Sequence, residues 1–352
     1  MMRFEPPVLP EGFRAEDWQR RRGELLSALA DCEYGITPPV FGEGSAEVDK
    51  VYKKFASGHG TAEEWTVTVP TPGGSFRFPA VFAYPCDGKP HPTILLINFR
   101  PAILGGTACD MYFPGEEILD HGFAVASFCY TDVTADNDDL SDGFAAMFPR
   151  SGNGRDWGKI GMWAYCASRL ADCLLRREEV DGGRLAVLGH SRLGKTALWC
   201  GAQDERFRFV LSNCSGCGGA AYGREKHPGG ETAADITRKF GYWFCDNFRS
   251  FAECPQKLPA DQHWLLAACA PRFVAIGTAG RDAWSDLYGQ QLSCIAAGEV
   301  WRKLGGVGYR GKTEPATVGD FFDGDICYFL RDGIHFLGRS DWLNYLKFIS
   351  AH

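Results

Sequence analysis

From residue 93 onward the chain alternates short, almost wholly apolar runs with longer segments of helical periodicity, and that alternation constrains the fold more than any other feature. The runs are 93–99, 123–130, 184–188, 207–212, 272–278 and 325–330. Helices are expected over 115–121, 157–179, 193–202, 286–304 and 339–350. A run of strand length without polar alternation must bury both of its faces. Strands that are each followed by a helix build a parallel sheet with helices on both sides. The expected fold class is therefore α/β: a mostly parallel twisted sheet flanked by helices, a three-layer α/β/α sandwich. In such sheets, sites form outside the carboxyl ends of the strands. No repeat, low-complexity stretch or linker breaks the pattern, so one domain over 1–352 is expected.

Three segments stand outside the alternation. Residues 1–60 read as an N-terminal extension, with one helix expected over 17–32 from the spacing of Trp18, Leu25, Leu26 and Leu29. Alternating runs at 65–69 and 76–84, joined through Pro72-Gly73-Gly74, predict an antiparallel hairpin at a sheet edge. Residues 215–258 form a long excursion between two core strands, rich in glycine, aromatics and charge. An excursion of that length in a compact domain is usually functional, and an insertion over the site is expected there.

Composition narrows the partners. The net charge of −7 and the lack of any Lys/Arg run longer than Arg20-Arg21-Arg22 argue against nucleic acid and against anionic membranes. The longest apolar stretches have strand length and cannot span a bilayer. Met1-Met2-Arg3-Phe4-Glu5-Pro6-Pro7 lacks the apolar core of a signal peptide, so a cytoplasmic location is expected, or a secreted one if a leader has been removed. The 14 cysteines are scattered and read as reduced, buried small side chains. Cys214-x-x-Cys217 alone invites a redox or metal reading, and no second pair or histidine cluster accompanies it.

The chemistry points to 185–195. Leu185-Ala186-Val187-Leu188 leads into Gly189, Ser191 follows two positions later, and Thr196-Ala197-Leu198-Trp199 continues as helix. A strand turning sharply into a helix holds a serine hydroxyl out of the sheet as a nucleophile elbow. Here the second glycine, Gly194, lies three residues after the serine rather than two. A serine needs a base and an acid that orients it. His335 follows the last strand-like run and precedes the last helix, where a base belongs. His263 is a rival, but it precedes its strand. Asp282, in the loop after 272–278, is the expected acid, with Asp286, Asp320 and Asp323 as alternatives.

The run 189–199, its continuation through Asp204-Glu205-Arg206-Phe207 to Ser212-Asn213-Cys214-Ser215-Gly216-Cys217-Gly218-Gly219-Ala220, and the stretches Tyr242-Trp243-Phe244, Leu258-Pro259-Ala260-Asp261-Gln262-His263, Ala270-Pro271-Arg272, Asp282-Ala283-Trp284 and Gly333-Ile334-His335 together resemble the bacterial glucuronoyl esterases of carbohydrate esterase family 15. The resemblance covers roughly residues 90–350. It implies an α/β-hydrolase fold and cleavage of (4-O-methyl-)glucuronic acid esters, such as those joining xylan side chains to lignin alcohols, with no metal or organic cofactor. By position, Ser191 resembles the nucleophile and His335 the base. Arg192 resembles the residue completing the oxyanion hole with its backbone N–H and side chain, helped by a backbone N–H from Asn98-Phe99-Arg100-Pro101. Lys195 and Glu231 resemble residues that grip sugar hydroxyls, and Trp284 one that borders the sugar. As competing readings, Lys195 and Glu231 are plain surface charges and Trp284 a core residue.

Two departures stand out. Many fungal members carry the catalytic glutamate where this chain has Cys214, so the resemblance leaves Asp282 as the acid. Fungal members also have a cysteine before the serine and another before the histidine; here these are His190 and Ile334. Two further readings are an acetyl-xylooligosaccharide esterase on the same fold and a catalytically weak uronate-binding protein.

Overall fold

The computed structural model describes residues 4–101, 110–225 and 227–352. Ten strands form one sheet: β1 (Ser45–Phe55), β2 (Gly60–Thr71), β3 (Gly74–Pro85), β4 (His91–Asn98), β5 (Ala124–Cys129), β6 (Val180–His190), β7 (Phe209–Asn213), β8 (Phe273–Ala279), β9 (Phe321–Phe322) and β10 (Ile326–Arg331). The helices are α1 (Trp18–Leu29), α2 (Gly115–Asp120), α3 (Lys159–Leu174), α4 (Arg192–Gln203), α5 (Ala233–Phe240), α6 (Asp246–Arg249), α7 (Gln262–Ala267), α8 (Leu287–Lys303) and α9 (Arg339–Ala351). Spatial order is β1-β2-β3-β5-β4-β6-β7-β8-β10-β9. The six strands from β5 to β10 run parallel, while β1, β2, β3 and β9 are antiparallel additions at the two ends.

Strand alternation divides the core in two. Leu95, Ile97, Leu185, Val187, Val210, Val274, Ile276 and Tyr328 face one side, against side chains of α1, α3, α4, α7 and α8. Ile94, Leu96, Ala186, Leu188, Leu211, Ala275, Cys327 and Phe329 face the other, against α2 and α9. Both faces are buried, as the unbroken apolar runs require, and the fold is that of an α/β-hydrolase with a mixed sheet between helical layers.

The hairpin β2–β3 forms with a long, regular register, but it is not the edge: β1 pairs outside it. The expectation that the hairpin forms the edge is corrected accordingly: the edge strand is β1, from the expected N-terminal extension. β1 is exposed on nearly every residue, so the apolar alternation that marks a strand is missing there. The expected helix over 17–32 ends as α1 at Leu29 and continues into a single π-helical turn, Ala30–Tyr34. Among the described residues no helix is long and apolar enough to cross a membrane, and the cysteines are free of disulfides.

Candidate active site

The parallel strands deliver their carboxyl ends to one edge of the sheet, and four consecutive loops there carry the candidate site. Ser191 follows β6, Cys214 follows β7, Asp282 follows β8 and His335 follows β10. Ser191 holds φ 57° and ψ −126°, a strained backbone for a non-glycine residue. Its N–H donates to Asn213 O at 2.8 Å, and its carbonyl accepts from Gly194 N–H at 2.9 Å. The turn is so tight that a Cβ on Gly189 would run into the Leu193 backbone. A Cβ on Gly194 would lie 2.9 Å from Ser212 Oγ and 3.0 Å from Ser215 Cβ. The displaced glycine is thus explained by where α4 crosses the end of β7.

His335 bridges the serine and the carboxylate. Its Nδ1 is 2.6 Å from Asp282 Oδ2 and its Nε2 is 2.8 Å from Ser191 Oγ. A carboxylate only accepts, so Nδ1–H donates to Asp282 and Nε2 is left to accept from the serine hydroxyl. Asp282 is buried while the His335 side chain is partly exposed. That geometry can remove the serine proton and return it to a leaving group. The Cys214 thiol lies beside them; burial, then the nearby Asp282 carboxylate, push it well above the usual thiol range.

A buried polar chain, unforeseen in the sequence, runs behind the histidine. His190 packs its ring 4.5 Å from that of His335, centroid to centroid, and its Nδ1 meets Asn213 Oδ1 at 2.6 Å. Burial, then the neighbouring His335, hold His190 down at about 3, so it is neutral. Asn213 Nδ2 donates to Asp341 Oδ1 at 2.8 Å. Asp341 accepts Arg331 Nε on both oxygens at 2.7 Å and Gly338 N–H at 2.8 Å. Arg331 in turn donates to the carbonyls of Asp332, Ile334 and Phe336, and so grips the loop that carries His335. Gly333 is at φ +124° with its Cβ direction blocked by the Arg331 guanidinium. Only glycine fits there.

The Arg192 guanidinium pairs with Asp136 and lies 4.7 Å from the Trp243 ring and 5.6 Å from the rings of Phe99 and Phe240. Asp136 is a hub, accepting also from Tyr130 Oη at 3.0 Å, Tyr242 Oη at 3.1 Å and Trp243 Nε1 at 2.7 Å. In sequence Asp136 is the first of a cluster of acidic residues in a loop, a pattern that reads as solvated charge.

Lys195 and Glu231 are both buried, which removes the surface-charge reading. Lys195 Nζ donates to Ser215 O. Burial lowers its pKa, against the opposing pull of the Glu231 carboxylate. Glu231 N–H donates to Trp284 O at 2.9 Å, fixing the 227–231 stretch against the Asp282 loop. Trp284 is 45% exposed, too open for a core residue. Beneath them, the π-helical turn places Glu33 wholly inside the protein, its carboxylate accepting from Gln262 Nε2 at 2.8 and 2.9 Å. Burial pushes Glu33 up to about 8, with Lys195 pulling the other way. A π-turn at a site often marks function, but its sequence, Ala30-Asp31-Cys32-Glu33-Tyr34, carries no sign of it.

The other histidine and aspartate candidates are elsewhere. His263 is buried against Pro6 O at 2.8 Å. Asp286 caps α8 and meets His227 Nδ1 at 2.7 Å. Asp320 holds Lys312 and the Thr317 turn, and Asp323 contacts His352. Cys214 and Cys217 are each buried and unbridged. The Asn98–Pro101 stretch reaches the site through Phe99, whose ring contacts Arg192 and His190.

Comparison with known proteins gives a consistent result. The family model described as glucuronyl esterase, fungi, matches residues 56–305. A carbohydrate esterase, MZ0003, from an unknown prokaryotic organism is 39% identical over 67% of this chain and 55% of its own length. A 4-O-methyl-glucuronoyl methylesterase of Phanerochaete carnosa is 27% identical over 82% of this chain and 68% of its own. The chain therefore spans about half to two thirds of the curated relatives it matches. Among solved structures, a promiscuous CE15 esterase from a marine bacterial metagenome superposes with a TM-score of 0.89 at 29% identity, covering 100% of this chain and 98% of that one. The glucuronoyl esterase of Solibacter usitatus gives the same values.

Proposed function

Because the chain belongs to the glucuronyl esterase family, we propose that it is a serine carboxylester hydrolase cleaving esters of (4-O-methyl-)glucuronic acid. The observation that carries this reading is His335 bridging Ser191 and Asp282 at 2.8 and 2.6 Å, with the buried Lys195 one helical turn beyond Ser191 and the buried Glu231 fixed against the Asp282 loop. His335 Nε2 takes the Ser191 proton as Oγ attacks the C6 carbonyl, and Asp282 holds the tautomer that makes this possible. The oxyanion that develops is met by Arg192, through its backbone N–H at the start of α4 and its guanidinium. A backbone N–H from the Asn98–Pro101 stretch completes the hole. Asp136 and three aromatic rings keep the guanidinium in one place before substrate arrives, which is what preorganisation requires. The protonated imidazole then gives its proton to the departing alcohol, and water releases the acyl group by the same steps in reverse. Lys195 and Glu231 bind the sugar hydroxyls and Trp284 borders the ring. An acetyl group has no hydroxyls for Lys195 and Glu231 to bind, which is why a uronate ester is preferred to an acetyl ester.

The test is side-by-side turnover of benzyl glucuronate, methyl glucuronate and 4-nitrophenyl acetate by the purified protein. The reading expects uronate ester cleavage that vanishes in Ser191→Ala. Acetate cleavage without uronate cleavage would make it an acyl esterase. Uronate binding that persists in both proteins with no turnover in either would make it a binding protein.

A further inference from the structure

The thiol of Cys214, the carboxylate of Asp282 and the imidazole of His335 bring their ligating atoms within 4.8 Å of one another. Sulfur, oxygen and nitrogen donors converging on one point form a set suited to zinc or a related thiophilic divalent ion. The backbone fixes the set from three directions. Cys214 is pinned at the end of β7 by its N–H to Gly277 O at 2.8 Å, and its φ of 48° turns the chain at that point. Asp282 is held under the loop after β8. His335 comes from the loop after β10, gripped by Arg331. We propose that these three side chains form an inhibitory zinc site, through which a thiophilic divalent cation switches the hydrolase off.

The consequence for the base follows from proton placement. In the metal-free site His335 carries its proton on Nδ1, toward Asp282, and presents a lone pair on Nε2 to Ser191. When the cation binds Nδ1, that proton moves to Nε2, and the Cys214 thiol releases its own to water as the metal–sulfur bond forms. The neutral imidazole now points an N–H at the serine hydroxyl and has no lone pair with which to accept a proton. The reaction stops at its first step, although Ser191 itself is untouched. Donors around a tetrahedral zinc sit about 3.3–3.8 Å apart, given bonds of about 2.0–2.3 Å. Capture therefore lengthens the 2.6 Å contact between His335 and Asp282 by about 1 Å, within reach of a half-exposed imidazole.

The experiment compares wild-type protein with Cys214→Ser and Cys214→Ala under rising zinc chloride, reading ester hydrolysis, followed by chelation with EDTA. Wild-type activity is expected to fall to background and to return on chelation. Both variants, each read against its own metal-free rate, are expected to need roughly tenfold or more zinc for the same fractional inhibition, since even an outer partner of a metal ligand is worth about 10–100-fold. Equal zinc sensitivity in all three proteins would overturn the proposal and move inhibition elsewhere, for example to the exposed His59, Glu116 and Asp120 group. Wild-type activity indifferent to zinc would overturn it outright. A second readout needs no turnover. Cobalt added to Ser191→Ala should raise a thiolate-to-metal charge-transfer band, and cobalt added to Ser191→Ala/Cys214→Ser should not. The same band in both proteins would refute the site even if the hydrolytic reading stands; a Cys214-dependent band in a protein without esterase activity would spare the site and sink that reading.

Discussion

Replacing Asp341 by asparagine tests the buried chain that stands behind the catalytic loop. Asp341 is fully buried and both of its oxygens are occupied: Oδ1 accepts from Asn213 Nδ2 and Arg331 Nε, and Oδ2 from Arg331 Nε and Gly338 N–H. An amide is the same size but has only one accepting end. Whichever way it turns, its NH2 faces N–H donors, so at least two charge-assisted hydrogen bonds are lost, each worth about 1.5–3 kcal/mol. The Arg331 guanidinium is also left in a largely buried site without its counter-charge, and breaking such a pair by removing one partner costs about 3–5 kcal/mol. These are two views of the same loss and do not add. The expected destabilisation is therefore about 3–5 kcal/mol, read as a lower urea midpoint with unchanged slope. Because Arg331 then holds the carbonyls of Asp332, Ile334 and Phe336 less firmly, His335 loses its fixed position. A misplacement of about 1 Å in the base corresponds to a fall in kcat of about 100-fold, with KM nearly unchanged. A purely structural role would move only the midpoint. The double variant Arg331→Met/Asp341→Leu separates the two effects: it leaves no buried charge and so should recover much of the stability, while kcat stays low because the loop carbonyls have lost their donor. An Asp341→Asn protein with wild-type kcat, or a double variant with restored kcat, would refute the reasoning.

Asp282→Asn removes the acceptor that selects the Nδ1–H tautomer, and the rate should fall by about 10³–10⁴-fold with little change in KM; near-wild-type turnover would hand the role to another acid. Gly194→Ala places a methyl 2.9 Å from Ser212 Oγ and 3.0 Å from Ser215 Cβ. It should cost about 1–3 kcal/mol by overpacking and lower kcat by shifting the elbow, whereas unchanged thermal stability would show that α4 can move away. For Glu33 the sign is fixed by its raised pKa. Between its ordinary value of about 4.5 and the folded value of about 8, the folded protein keeps a proton that the unfolded chain gives up, so stability falls as pH rises through that window. Glu33→Gln should flatten that fall by up to about 1.4 kcal/mol per pH unit, apart from a pH-independent offset for re-pairing with Gln262. A wild-type-minus-variant difference that does not drift with pH would contradict it.

The parts of the fold that the sequence made legible are those with one repeating physical cause. Every core strand between β4 and β10 is apolar on both faces, and each following helix begins near where periodicity takes over, so these elements could be read within a few residues. The elbow was visible because Gly189 is demanded by a backbone contact local to the turn and Gly194 by the close crossing of α4 over the end of β7. Ser191, Asp282 and His335 were visible because strand ends are countable positions. β1 was not, since an edge strand exposed along nearly its whole length leaves no hydrophobic trace. Asp136, Glu33, Arg331 and Asp341 were missed for another reason. Three of them have a partner far away in sequence: Asp136 meets Tyr242 and Trp243 across 106 and 107 positions, Glu33 meets Gln262 across 229 and Asp341 meets Asn213 across 128, while Arg331 is tied to the site by Asp341, 10 positions on. A single sequence shows the charge but not the burial that gives it a role.

The order of the four site loops along the chain has a consequence for synthesis. Chains fold largely from their N-terminal end as they emerge, and here the serine, its strained turn and the pocket floor are all made before β10 exists. His335 lies 144 residues beyond Ser191, on a loop that needs both β10 against β8 and Asp341 at the head of α9. On the proposed reading, a nascent chain therefore carries a poised but unreactive serine until β10 and α9 have docked. Hydrolysis then requires both elements in place, and an assay run during translation would register only chains in which they have docked.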